Sequence, residues 1–415
     1  MNPKKIFHLI LFILAAEVIY TLPYGIIRIF RPTFLYAFNI SNTDMGYCYT
    51  LYGITALASY FSGGIIADKY QPKFLIFSGL LLTSLGGFIW VLIPSLTTLY
   101  MLYIYWGITT IFFFWSPVIK AVRIWGDNNK QITGFGFFEG GRGTVAALIG
   151  TLGVFIYATS IPNIELSKEQ LQIAVKKVYF IVSIISMLLA GLFLLLPNYT
   201  SNEKSKIITT KSYKYNVLKS LQYPVVWMLM LIILSAYTSY RIGDIFTQYA
   251  SEIYHYNEKE SATLGVFFAY LRPLVCLIIV FLAKNTNPTK WLIIGFIIMT
   301  LGSLLLTLNL NLSITHVAGL ASFVSTLIGA YVIRVIYFTI LEETKIPLTI
   351  TGTVIGIISI IGFFPDVFIG PLTGYYLDEI GGKIGYLYLF IFLLANSIIG
   401  LLSSILLHKT IKAKR

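Results

Sequence analysis

The sequence predicts an all-α membrane protein of twelve transmembrane helices arranged as two six-helix halves, and three observations lead there. With 57% hydrophobic and only 11% charged residues over 415 positions, the chain carries more apolar surface than one soluble core can hide. Apolar segments of spanning length recur along it, each close to the roughly twenty residues that a bilayer crossing needs. Its basic residues gather in alternate connections between those segments.

The first set of apolar segments lies near residues 7–34, 46–66, 74–95, 99–122, 134–160 and 178–197. A second set follows near 223–250, 262–283, 290–311, 314–340, 350–376 and 385–408. This predicts a first bundle over residues 1–197, a linker over 198–222 and a second bundle over 223–415. Assigned alternately to two sides, the connections place roughly eighteen Lys and Arg on the side of the N-terminus and roughly six opposite. Both termini are therefore expected in the cytoplasm, in a bacterial inner membrane. The first apolar run continues past Arg28 without a small-residue cleavage site and reads as an uncleaved span rather than a signal peptide.

The formal charge of +13 is spread in short clusters, so it reads as topology and implies no nucleic-acid partner. The basic linker, with Lys204, Lys206, Lys211, Lys214 and Lys219, fits the same rule. Residues 163–177 are expected to form a short external helix with a solvated charged face. Cys48 and Cys276 have neither metal-ligand nor disulfide-framework spacing, and His8, His255, His316 and His408 are scattered. No metal, cofactor or phosphate-cradling loop is implied, which argues against an enzyme and against ATP as the energy source.

The halves share a pattern. Arg28 precedes Asp44 and Ala67, Arg241 precedes Glu260 and Ala283, and each acid lies 23 residues before its alanine. Parallel repeats of this kind describe carriers whose substrate sits between the halves near the middle of the bilayer.

The stretch after the second span, Gly64-Ile-Ile-Ala-Asp68-Lys69-Tyr-Gln71-Pro72-Lys73, resembles the loop signature of the major facilitator superfamily, and Gly64, Asp68, Lys69 and Lys73 would form its conformational-gating loop. That resemblance implies the major facilitator fold and a secondary transporter. In finer detail the loop resembles that of the organophosphate:phosphate antiporter branch, whose members carry one substrate-binding arginine in span one and one in span seven. The matching residues are Arg28 and Arg241. The branch has a lysine in span two near Tyr60 and a histidine in span five near Arg142, and those departures separate this chain from phosphate itself.

Charge inside a span costs several kcal/mol unless it is paired or faces water, so each such residue needs a reason. Arg28 and Arg241 offer planar forks for carboxylate, phosphate or sulfonate oxygens. The alternative pairs Arg241 with Asp244 and turns Arg28 outward. Glu139 and Arg142 sit three residues apart among glycines, either extending the cationic site or satisfying each other. Pro365 beside Asp366, followed by Gly370 and Gly374, reads as a break and a hinge. Glu139, Asp366 and Glu17 are candidate proton carriers, and Tyr24, Trp115 and Tyr240 candidate lining residues. Arg272 lies deep without a legible partner, whereas Arg334 falls near a span end.

The expected function is transport of a small organic anion by alternating access, through anion exchange or proton symport, by a chain able to work as a monomer. Proton-coupled export of drug-like or siderophore-like molecules is the alternative. A membrane nutrient sensor is the alternative from another class.

Overall fold

The computed structural model describes residues 3–92, 95–126, 131–159, 167–196, 221–283, 286–312, 316–337, 340 and 351–413. Ten helices among them are long and apolar enough to cross a bilayer: α1 (Lys5–Phe38), α3 (Pro72–Val91), α4 (Leu96–Ile119), α6 (Lys168–Leu194), α7 (Pro224–Tyr254), α8 (Glu258–Ala283), α9 (Pro288–Leu308), α10 (His316–Ile336), α11 (Ile357–Ile380) and α12 (Gly382–Ala413). Two more helices, α2 (Asn42–Lys69) and α5 (Gln131–Thr159), have 28 and 29 residues. At 1.5 Å rise per residue each exceeds the roughly 30 Å of hydrocarbon. The protein is an all-α membrane protein with twelve helices of spanning length.

The chain divides into two compact units. Unit 1 comprises residues 1–200, 244–274 and 366–386; unit 2 comprises 201–243, 275–365 and 387–415. Four helices, α7, α8, α11 and α12, contribute to both.

Unit 1 is built around two apolar clusters. One contains an aromatic ladder in which Trp90 stacks on Tyr179 with ring centres 3.8 Å apart, and Tyr103 meets Trp106 edge to face at 5.3 Å. The other packs Phe12, Phe114, Phe138 and Phe193 among aliphatic side chains of α1, α3, α4 and α6. Helix α2 meets α11 through backbone rather than side chains, since a β-carbon on Gly46 would fall 2.5 Å from the backbone of Gly370. Glycine at both positions is what permits that approach.

In unit 2, α9 and α10 touch at Gly295 and Gly329. The hydroxyls of Ser303 and Ser397 meet at 3.2 Å, joining α9 to α12.

The internal repeat has a structural counterpart. Helix α1 ends at Asn39 and α7 at His255, both in the left-handed conformation (φ 54° and 59°). Each turn then leads into a capped helix: Ser41 with Asp44 at the start of α2, and Asn257 with Glu260 at the start of α8. In both boxes the acid at the third helical position accepts from the cap's own amide.

One element differs from expectation. Residues 168–177 form no separate external helix; they are the first ten residues of α6, which opens on a capping box between Ser167 and Gln170. That box starts the helix ahead of the apolar run, so the charged face and the span are one element. Most of the basic linker, residues 197–220, and residues 160–166 lie outside the described residues.

Candidate functional site

Two charged clusters occur in unit 1, and irregular helix geometry positions the first. Helix α1 loosens to a π-turn over Thr21–Gly25, with Tyr103 Oη donating to the Pro23 carbonyl at 2.8 Å. It kinks again at Phe30 (φ −107°, ψ 28°), two residues before Pro32. Proline has no amide hydrogen and its ring collides with the preceding turn, which accounts for the kink. Arg28 and Arg31 flank it.

The side chain of Arg28 is 30% exposed, and its Nε donates to Asp244 Oδ1 of α7. Asp244 sits where α7 tightens to a 3-10 turn over Gly243–Ile245. Thr247 Oγ1 donates to the Arg28 carbonyl at 3.3 Å, a second tie between α1 and this part of α7. Beside them Tyr24 stacks on Tyr49 at 5.1 Å and meets Tyr52 edge to face at 4.8 Å.

Arg31 leads into a chain of hydrogen bonds. Its Nε donates to Gln248 Oε1 at 2.7 Å and its Nη2 to Asn42 Oδ1 at 2.8 Å. Gln248 Nε2 donates to Glu252 at 2.7 Å, which also accepts from Tyr386 Oη at 2.9 Å. Asn42 Nδ2 donates to Asp378 at 2.9 Å, and Asp378 accepts from the backbone amides of Asn42 and Thr43 at 3.2 and 2.6 Å. A carboxylate of α11 therefore caps the first turn of α2, where helix amides lack partners.

The second cluster is a quartet of Glu17, Glu139, Arg142 and Arg272. Arg142 Nε donates to Glu17 Oε2 at 3.0 Å and to the Ala16 carbonyl at 3.1 Å, while Nη1 donates to Glu139 Oε1 at 2.9 Å. Its guanidinium also lies 5.6–5.7 Å from the ring centres of Tyr20, Trp115 and Phe138. Arg272, from α8, donates Nη2 to Glu139 Oε2 at 2.7 Å and Nη1 to Glu17 Oε2 at 3.4 Å. Both arginines are about 95% buried (side-chain exposures 5% and 4%), and their charges cancel those of the two glutamates. A β-carbon on Gly143 would fall 2.8 Å from Arg272 Cγ, so α8 can deliver this arginine only because α5 carries glycine there.

Unit 2 carries Arg241, 3% exposed at the end of the regular first part of α7. The neighbouring Tyr240 stacks with Tyr237 at 5.9 Å, meets Tyr331 at 6.3 Å and lies under the Arg334 guanidinium at 4.7 Å. Tyr240 is 16 residues into α7, about 24 Å along its axis at the standard rise. Arg334, in the last turn of α10 as the sequence predicts, is an aromatic-stacked cation beside this part of α7.

Among the sequence-predicted residues, the structure unites Glu17, Glu139 and Arg142, supplies Arg272 as their partner, and gives Arg28 to Asp244. Asp366 is 7% exposed, in the first turn after the Pro365 break, with its backbone against Gly53. Gly64, Asp68 and Lys69 belong to α2, but their side chains lie outside the described residues. Lys73 donates to the Leu196 carbonyl at 2.9 Å, pinning the start of α3 to the end of α6. The roles of Arg31, Gln248, Glu252 and Asp378 were not legible. The available signal was that Arg31 is a charge beside Pro32 within an apolar segment, and Asp378 a charge between Gly374 and Gly381 just past the end of another. Among the described residues no group of three His, Cys, Asp or Glu is placed to hold a metal ion.

Spanning helices that are broken where they carry buried charge are those of a membrane carrier. The Major Facilitator Superfamily profile matches residues 13–364, and the chain belongs to that family. It is 28% identical over 355 residues to inner membrane protein YqcE of Escherichia coli K12, covering 84% of this chain and 82% of YqcE. Inner membrane protein YihN of the same organism is 22% identical over 385 residues, 91% of this chain and 89% of YihN. Among solved structures, a bacterial homologue of the human lysosomal transporter Spinster, inward-facing and unoccupied, superposes with TM-score 0.70 at 14% identity, covering 99% of this chain and 98% of that one. The nucleoside transporter NupG superposes with TM-score 0.68 at 13% identity, covering 99% of this chain and 100% of NupG. The protein has the major facilitator fold. It is a secondary transporter, not an enzyme, and works by alternating access.

Proposed function

We propose that this transporter moves a small organic anion, a sugar phosphate, sulfonate or carboxylate, across a bacterial inner membrane with both its termini in the cytoplasm. The observation that carries the reading is Arg28: a partly exposed guanidinium inside a span, already holding a carboxylate oxygen from Asp244. A site that accepts one carboxylate accepts the like group of a substrate, and Asp244 acts as its internal stand-in. Arg241, with Tyr240 beside it, is the second half's contribution, and Tyr24 lines the first half's. The loop through Asp68, Lys69 and Lys73 and its likeness to the organophosphate:phosphate branch point the same way.

When substrate oxygens replace Asp244 on Arg28, the tie between α1 and α7 is exchanged for a tie to the cargo. Binding energy is thereby linked to reorientation, as differential affinity for two states requires. Coupling proceeds by exchange with a second anion or by proton symport, with Glu139, Glu17 and Asp366 as carriers.

The test is ligand-induced stabilisation of the purified protein by phosphorylated, sulfonated and carboxylated metabolites. At a hundredfold excess over Kd a ligand adds about 2.7 kcal/mol to the state it binds. At least one anion is expected to raise Tm in the wild type and to lose that effect in Arg28→Ala. Equal stabilisation by the uncharged parent compound of that anion, measured in parallel, or an unchanged shift in Arg28→Ala, refutes the anion reading.

A further inference from the structure

At the end of unit 1 opposite the N-terminus, the last residues of α1 and α3 meet the first turns of α4 and α6 around a cavity of about 120 Å³. Phe38, Trp90, Leu96 and Leu99 give it apolar walls, and Asn39 and Gln172 give it a polar edge. Trp90 is fixed from two sides, by Tyr179 stacked at 3.8 Å and by Phe38 edge to face at 4.9 Å. Gln172 Nε2 donates to the Ala37 carbonyl at 2.7 Å, which ties α6 to the end of α1.

Cations stand beside this cavity. Lys168 and Lys176 lie four residues before and four after Gln172, on the same face of α6. Lys168 Nζ is 4.9 Å from the ring centre of Tyr36, an exposed residue of α1 one turn before Asn39. Lys176 has no ion pair or hydrogen bond among the described residues. Lysines on this side run against the rule that gathers them at the other, so topology does not explain them. Of the four helices around the cavity, only α6 has an acid at this end among the described residues, Glu169. Neighbouring α2 brings Asp44, whose oxygens already accept from Ser41 and from Tyr100 Oη. Because α6 has 27 residues and roughly twenty suffice to cross the hydrocarbon, its first turns stand at the level of the lipid headgroups. Below them the stripe of Lys168, Gln172 and Lys176 continues as Phe180 and Ile184, both exposed.

We propose that this cavity holds the headgroup of one anionic phospholipid from the leaflet opposite the N-terminus. Its phosphate oxygens lie between Lys168 and Lys176, its glycerol carbons rest against Trp90, Leu96 and Leu99, and an acyl chain follows Phe180 and Ile184 into the bilayer. Basic pockets between spans recognise lipid headgroups by the same combination of charge and shape. The order of cations, apolar walls and exposed apolar stripe fits a phosphodiester with acyl tails, whereas a free phosphate uses the cations alone. The site goes beyond the functional reading above, and it does not depend on Arg28 binding the cargo.

The experiment uses the full chain with the buried Cys48 and Cys276 replaced by serine and one new thiol, Leu96→Cys, at the cavity rim. Labelling by an uncharged maleimide is timed in nanodiscs of phosphatidylethanolamine alone and of phosphatidylethanolamine mixed with phosphatidylglycerol. Phosphatidylglycerol is expected to slow labelling about tenfold, as a ligand present well above its Kd does at the site it fills. Combining Lys168→Gln with Lys176→Gln should restore the fast rate. Leu92→Cys, 79% exposed just past the end of α3, should label at one rate in both bilayers. Inorganic phosphate added to the phosphatidylethanolamine discs should leave Leu96→Cys fast. Equal rates at Leu96→Cys in the two bilayers, equal slowing at Leu92→Cys, slowing that persists in the double glutamine variant, or protection by inorganic phosphate alone overturns the proposal. Because no cargo is present, none of these results alters the ligand-binding test of Arg28.

Discussion

Asp244 accepts a hydrogen bond from Arg28 Nε, so the aspartate competes with any anion for the same guanidinium. Asp244→Asn keeps the shape and removes the competing charge. Titration calorimetry with the stabilising anion is expected to give a Kd about tenfold lower, worth about 1.4 kcal/mol. A weaker affinity would show that Asp244 assists binding rather than competing with it. Arg142→Ala has the opposite character, because it removes a buried cation that binds both Glu17 and Glu139. Breaking a buried charge pair from one side costs about 3–5 kcal/mol, so a strongly lowered Tm is expected in thermal unfolding. At this scale the sequence showed which positions were charged inside spans, since each stands out against apolar neighbours. It could not show partners. Arg272 meets Glu17 across 255 positions, and Arg31 meets Gln248 across 217, separations that leave no local trace.

Among the elements, α2 and α11 depend on each other at two points. Asp378 caps the first amides of α2, and Gly46 and Gly370 bring the two backbones together. Asp378→Ala is expected to cost about 0.5–2 kcal/mol, the range for loss of a helix cap, read as a lower Tm. Gly370→Ala inserts a methyl group against the Gly46 carbonyl and should cost about 1–3 kcal/mol as overpacking. Of the two variants, only Gly370→Ala should hold α2 and α11 apart, seen as faster thiol labelling at Tyr47→Cys. Sequence periodicity located these helices because hydropathy alone marks a span. It missed their internal breaks: the π-turn at Thr21–Gly25 and the 3-10 turn at Gly243–Ile245 arise from packing, and only Pro23 and Gly243 hint at them. The charged start of α6 was misjudged for a related reason, since a capping box extends a helix beyond its apolar stretch.

For the whole molecule, twelve spans and the internal repeat were legible because the bilayer imposes length and alternation on any chain that crosses it. The paired capping turns after Asn39 and His255 give that repeat a physical form. The cargo was not legible to the same degree, because selectivity depends on a few side chains whose orientation no pattern records. Uptake of the stabilising anion into proteoliposomes, comparing wild type with Arg28→Ala and Arg241→Ala, tests the central claim most directly. Wild type should accumulate the anion, and each variant should fall to no more than about 1% of that rate, as loss of roughly 3 kcal/mol at a charge-assisted contact implies. Transport at the wild-type rate by both variants would contradict the account.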